Sequence, residues 1–350
     1  MSNTVVLATP TRPWRLTPKE ILYPSLLISL SFIASLLVIS STGLKGKLAF
    51  IFLFFLFSSS SLFFYKLRTR GRQAAVDSWV GSVIFCAAAL VFLPVVSILV
   101  STVRRGVPGL HASLFTDTMF SASYLDPINK GGLLHAIVGT LYLILITVLI
   151  SVPSGVLTAL YLTEIKGPGS KFIQFTVQAM SGVPSVVAGL FIFAAVILAT
   201  PLKASGIDGA FALSILMVPT VTRTAQEVLL LVPNDLREAG LAMGATQWRT
   251  VASIVVPAAR NGLLTATILG VARIAGETAP LIFTIGGSDK LNLNPFHDYQ
   301  GALPFYVWKG LLLGTPESIQ RAWTGILVLL ILVLTLFTLA RRFGSRKVGK

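Results

Sequence analysis

Long apolar stretches separated by short polar intervals set the pattern of this chain. Runs without Asp, Glu, Lys or Arg cover 21–44, 48–65, 78–103, 131–163, 172–202 and 322–340. Each is close to or above the roughly 20 residues that a helix needs to cross a bilayer. Two further spans, 209–231 and 261–285, follow if their embedded charges are accepted: Arg223 with Glu227, and Arg273 with Glu277. The pattern predicts an all-α polytopic membrane bundle of about eight transmembrane helices. The runs at 131–163 and 172–202 are over-long, so they must tilt, break or begin with interfacial turns. Pro153, Pro184, Pro219 and Pro280 mark expected breaks in four consecutive spans, because proline removes a backbone donor and crowds the preceding turn. Irregular backbone survives in a membrane only where protein or a watery cavity covers it. That favours a packed, moving bundle over lipid-facing anchors.

Composition agrees with this pattern. Of 350 residues, 54% are hydrophobic and 12% charged, with a mean hydropathy of +0.82. The net charge of +15 raises nucleic acid as a partner, but the placement of the basic residues argues against it. With an even number of spans, one side collects Arg12, Arg15, Lys19, Lys66, Arg68, Arg70, Arg72, Lys166, Lys171, Arg237, Arg249, Arg260, Arg341, Arg342, Arg346, Lys347 and Lys350. The other side holds fewer: Lys45, Lys47, Arg104, Arg105, Lys130, Lys203, Lys290, Lys309 and Arg321. Basic loops stay cytoplasmic, so both termini are expected inside and no nucleic-acid role is expected.

The first apolar run begins after a polar stretch and lacks a small-residue cleavage site, which reads as a retained span. Cys86 is the single cysteine, and His111, His135 and His297 are far apart, so neither a disulfide within the chain nor a metal site is expected. Residues 1–20 read as a cytoplasmic tail. Residues 21–73 read as a helical hairpin with a basic linker, an anchor or a partner surface, in which the serines of 58–61 allow close helix contact. External loops are expected at 104–131 and 286–320, the second with room for a surface or re-entrant helix at 305–313.

The polar interval at 233–258 is the most specific segment. Pro233-Asn234-Asp235 can open a helix. Leu236, Ala239, Gly240 and Met243 recur at helical spacing. Gly244 supplies a stop, and Thr246 can cap a second helix that ends before Pro257. A short helix with small contact residues suits insertion into a groove on another protein.

The residues Glu238-Ala239-Gly240, then Gly244, then Ile254-Val255-Val256-Pro257 resemble the E-A-A, G, I-x-L-P pattern of the membrane subunits of bacterial ABC importers, with Gly at the third position and Val for Leu. The run from Ala272 through Arg273, Gly276, Glu277 and Pro280 resembles phosphate permeases of the PstA type, as do Arg223 to Glu227 and Gly182 to Gly189. The resemblance covers about 75–345 and implies a six-span permease domain at 74–345 whose loop at 233–258 couples to an ATPase. It implies a bacterial inner-membrane location and an ATP-driven phosphate importer. The partners it implies are a second homologous permease chain, two cytoplasmic ATPase subunits that use ATP and Mg, an extracytoplasmic phosphate-binding protein, inorganic phosphate and membrane lipid. No cofactor is implied in this chain.

Arg223 and Glu227 are four residues apart, as are Arg273 and Glu277, so each pair is expected on one helix face. An uncompensated charge at mid-bilayer costs about 2.5–3.5 kcal/mol even on the lenient insertion scale. Mutual neutralisation is one account. The other makes Arg223, Arg273 and Glu277 part of an anion path with Glu227 as helix-face partner, because a guanidinium offers a fork of donors to a tetrahedral oxyanion and never deprotonates. Whether these residues touch the anion or hold two helix arrangements stays open at this level. Sulfate or molybdate is the closest rival substrate. A secondary transporter using Glu277 for a coupling proton is the second class. An enzyme is not expected, since no phosphate-binding loop or His-Glu-x-x-His motif is present.

Overall fold

The computed structural model describes residues 18–42, 46–200 and 203–344. Most of the expected 1–20 tail lies outside them, as do Arg12, Arg15, Lys45, Arg346, Lys347 and Lys350. In chain order the helices are α1 (Pro18–Thr42), α2 (Lys47–Arg70), α3 (Arg72–Gly106), α4 (Leu134–Leu160), α5 (Ser170–Ser181), α6 (Ser185–Ile192) and α7 (Gly206–Leu230). They continue with α8 (Asn234–Ala242), α9 (Gln247–Thr250), α10 (Val256–Ala275), α11 (Ala279–Thr284), α12 (Leu303–Leu313) and α13 (Pro316–Gly344). Single π-helical turns extend α4 at Tyr161–Ile165 and α6 at Phe193–Ile197, and another joins α9 to α10 at Val251–Val255. Among the described residues six helical stretches are long and apolar enough to cross a membrane, and eight if each bent pair counts as one. The all-α reading and the number of spans agree with the apolar pattern.

The chain divides into two compact units, Met1–Leu99 and Val100–Lys350. In the first, α1 and α2 pair through small polar residues. Ser31 and Ser61 hydroxyls meet at 3.2 Å, Ser35 and Ser59 are buried, and Phe32 sets its edge against Phe50. Lipid offers no hydrophobic drive between helices, so this close fit and the hydroxyl bonds carry the pairing.

The second unit is built on α7. α4 lies along it, α10 packs on another side, and α6 crosses both α7 and α11. Its central core joins Leu143, Leu213, Met217, Val221, Ile274, Leu281 and Ile285. Glycines set the approach distances. A Cβ on Gly270 would stand 2.9 Å from Met217 and from Val221, and one on Gly189 would stand 2.6 Å from the Pro280 backbone. Towards the α8 end a second cluster gathers Leu160, Leu229, Val251 and Val255. At the opposite end Leu114, Met119, Leu133, Leu303 and Tyr306 form a third. There α12 pairs with α13 and supplies the helix foreseen at 305–313. Arg321, expected in a loop, is buried instead, and its guanidinium donates to the carbonyls of Asp126 and Pro127.

Two of the four foreseen proline breaks occur. Pro184 stands between α5 and α6, which bend by 103°, and Pro280 opens α11 after an interruption at Gly276. Pro153 and Pro219 lie inside α4 and α7, which continue through them. In each case the next residue, Ser154 or Thr220, turns its hydroxyl back onto a carbonyl one turn earlier, at 2.7 and 3.2 Å. This places a side-chain donor beside the one that proline removes. Nor does the helix after Thr246 end before Pro257. The ring sits in the first turn of α10, where the π turn has already interrupted the regular bonding. The span foreseen at 261–285 therefore starts at Gln247 and stops at Ala275.

Candidate functional site

The loop after α7 folds as its turn residues direct. Pro233 precedes the first turn of α8, and α8 departs from α7 at 73°. Gly244 takes φ +80°, a left-handed conformation that other residues adopt only under strain. Thr246 then caps α9, its hydroxyl accepting from the Arg249 N–H at 3.4 Å. Of the small ridge read from the sequence, Gly240 faces inward. A Cβ there would stand 2.8 Å from both Ile254 and Thr250, so glycine in the third motif position lets α8 lie directly on the start of the next span. Gly240 and Ile254 thus meet, which gives their spacing a structural meaning. Leu236, Glu238, Ala239 and Leu241 are exposed, as are Met243 at 88% and Trp248 at 62%. An apolar tip of this kind marks a contact surface.

What holds α8 in place is Arg237. Its Nε donates to Glu164 Oε2 at 2.9 Å and its Nη2 to Oε1 at 2.7 Å, a bidentate pair. The same guanidinium donates to the carbonyl of Leu229 in the last turn of α7 at 2.9 Å and to that of Val232 just beyond its end at 2.6 Å. Glu164 stands in the π turn that extends α4, with its side chain only 5% exposed. Its backbone carbonyl accepts from Gln247 Nε2 at 2.6 Å. One arginine therefore ties α8 to the ends of α4 and α7, and Glu164 ties in α9. The carboxylate bonds raise the Arg237 pKa above its usual value, so the charge is permanent. No sequence motif singles out Glu164. The available signal was a lone carboxylate ending a long charge-free run.

The other charges come together on α7. Thr220, Arg223 and Glu227 recur at helical spacing along one face. Arg273, near the end of α10, donates from Nη1 to the Thr220 hydroxyl at 3.1 Å. Both arginines thus serve one stretch of α7. Glu277 does not share a helix face with Arg273, because α10 ends at Ala275 and Glu277 stands in the interruption before α11. Among the described residues neither Arg223–Glu227 nor Arg273–Glu277 closes to an ion pair within 4.0 Å. Arg223 and Glu227 line a cavity of about 240 Å³ with Gln174, Gln178 and Gln226. The two α5 glutamines were not singled out in the sequence. Among the described residues no group of three His, Cys, Asp or Glu side chains could hold a metal ion.

The family model described as binding-protein-dependent transport system inner membrane component matches residues 151–348. Phosphate transport system permease protein PstA of Haemophilus influenzae is 38% identical over 262 residues, covering 71% of this chain and 87% of that protein. PstA of Xylella fastidiosa strain Temecula1 is 33% identical over 293 residues, covering 83% and 96%. PstA 1 of Mycobacterium tuberculosis H37Rv is 39% identical over 207 residues, covering 59% and 67%. Among solved structures, an inward-facing MetNI methionine ABC transporter covers 61% of this chain and 95% of its own, at 20% identity and a TM-score of 0.47.

Replacing Glu164 by Gln removes the charged partner while keeping the shape. A hydrogen bond to a charged group contributes roughly 1.5–3 kcal/mol. The expected result is faster amide hydrogen exchange across 234–242, with α4 and α7 unaltered. Equal exchange in that segment for both proteins would show that the clamp does not hold α8.

Proposed function

The chain belongs to the binding-protein-dependent transport system inner membrane component family, and from that premise we propose that it is the membrane-spanning permease subunit of an ATP-driven phosphate importer. It hydrolyses nothing itself. ATP and Mg are used by two cytoplasmic ATPase subunits, and a solute-binding protein delivers the anion to the outer mouth. A related second permease chain completes the path in the bacterial inner membrane, and both termini of this chain are cytoplasmic. Residues 74–345 are the permease domain, and the 21–73 hairpin adds two spans to its six.

The observation that supports this most is the continuity of α7. Carbonyls at its end are held by Arg237 of α8, and the same helix carries Thr220, Arg223 and Glu227 a few turns above. A displacement of α8 by a closing ATPase would pass through the Glu164–Arg237 clamp into α4 and α7, and so reach both arginines. Glu238 and Ala239 lie on the exposed side of α8, Gly240 and Ile254 seat it, Gly244 turns the chain, and Pro257 starts the returning span. The closest rival substrates are sulfate and molybdate, which a guanidinium also accepts. A secondary transporter needs no exposed docking helix, and this argues against that class.

Arg273 and Glu277 lie where α10 is interrupted, so their surroundings change if the helices rearrange. A guanidinium there attracts the anion, and the nearby glutamate limits how tightly it is held, since transport requires release. Arg273→Gln is expected to leave assembly with the ATPase intact and to abolish phosphate uptake. Normal uptake by a well-expressed variant would remove Arg273 from the path. Glu238→Lys reverses a charge on the docking face, and substrate-stimulated ATP hydrolysis in reconstituted vesicles is expected to disappear. Unchanged coupling would place the ATPase contact elsewhere.

A further inference from the structure

The cavity between α5 and α7 carries more than Arg223. Gln174 and Gln178, four residues apart on α5, line one side of it. From α7 come Arg223, Gln226 and Glu227, with Val177 beneath. The volume of about 240 Å³ exceeds what one small anion needs, which leaves room for water. Arg223 lies two turns from the end of α7 that leads into α8, so the cavity is in the α8 half of the bundle. Neither Arg273 nor Glu277 lines it, although Arg273 reaches Thr220 one turn from Arg223.

Its composition is selective. The arginine and three glutamines supply hydrogen-bond donors, which suit any tetrahedral oxyanion. Glu227 is different, because an ionised carboxylate accepts hydrogen bonds and donates none. Facing sulfate, which has no proton at neutral pH, Glu227 would set two acceptors and two negative charges against each other. Facing hydrogen phosphate it would accept from the anion's own O–H. Sulfate, with no proton to donate, meets the carboxylate's charge without a compensating hydrogen bond. Repulsion of the wrong ligand contributes as much as attraction of the right one.

We propose that this cavity is an exit-side binding station for a protonated tetrahedral oxyanion. Arg223, Gln174, Gln178 and Gln226 donate to it, and Glu227 accepts its proton-bearing oxygen. The station rests on the phosphate-importer reading and deepens it. Glu227 becomes the residue that separates phosphate from sulfate, and the two Arg–Glu pairs take different tasks.

The test uses the whole transporter in inside-out membrane vesicles, with Cys86→Ser and Leu230→Cys in this chain, since Leu230 lines the cavity without donating to the anion. Labelling of the new thiol by a membrane-impermeant maleimide reports occupancy. Inorganic phosphate at about four times its dissociation constant should slow labelling about fivefold, and arsenate should act alike because it keeps a proton. Sulfate at the same concentration should give no protection until Glu227→Gln is added, and should then protect as phosphate does. Absence of protection by phosphate, or equal protection by sulfate with Glu227 in place, overturns the proposal. Val177→Cys, on the α5 side of the cavity, provides a second reporter if the first variant fails to assemble. Uptake by cells carrying Cys86→Ser alone separates the two readings. Retained phosphate uptake without protection overturns the station only, whereas uptake of sulfate in place of phosphate overturns the importer reading.

Discussion

Four helices meet at the Glu164–Arg237 pair. A guanidinium has five N–H donors in a rigid fork, and this one spends them on a carboxylate from α4, two carbonyls at the end of α7 and the Asn234 side chain at the start of α8. Glu164, nearly buried, also offers its backbone carbonyl to Gln247 at the start of α9. The C-terminal end of a helix favours a cation, and at the end of α7 the Arg237 guanidinium donates to Leu229 in the last turn and to Val232 just beyond it. The consequence is mechanical. α8 cannot shift without either moving α4 and α7 or breaking a charged, partly buried bond set.

Stiffness along α7 gives that connection its reach. Close packing over Gly270 and Gly155, with Val221 in contact with both, leaves little slack between α7 and its neighbours α10 and α4. Packed interiors respond to displacement by switching arrangements instead of deforming smoothly. The parts with freedom to switch are the interruptions, at Pro184 with its 103° bend and at Gly276 before α11. They cross each other where Gly189 lies on Pro280. Intramembrane charge is concentrated near this region and along the exposed side of α7, where an ion pair would have been the inexpensive arrangement. Arg273 instead donates to the Thr220 hydroxyl of α7, and Arg223 lines the cavity beside α5.

The number of spans and the outline of the loop at 233–258 were legible in the sequence, because apolar run length and the Gly244 and Thr246 signals are local. The clamp was not, since Glu164 and Arg237 are far apart along the chain and neither belongs to a motif that names the other. At Pro153 and Pro219 the helices continue through the proline, each with the next residue's hydroxyl bonded back one turn, and no local signal in the sequence separates these prolines from Pro184. Helical spacing misled at Arg273 and Glu277, because Gly276 ends the helix between them. The cavity lined by Gln174 and Gln178 depends on how α5 leans on α7, a tertiary fact that no spacing encodes.

Under the proposed function, this chain moves phosphate only when an ATPase drives α8. The direct measurement is phosphate uptake into proteoliposomes that hold this chain with its second permease and ATPase subunits, supplied with the binding protein, with and without ATP and Mg. Phosphate accumulation is expected to require ATP and to stop when α8 can no longer dock. Accumulation of phosphate without ATP, driven by a proton gradient, would contradict it.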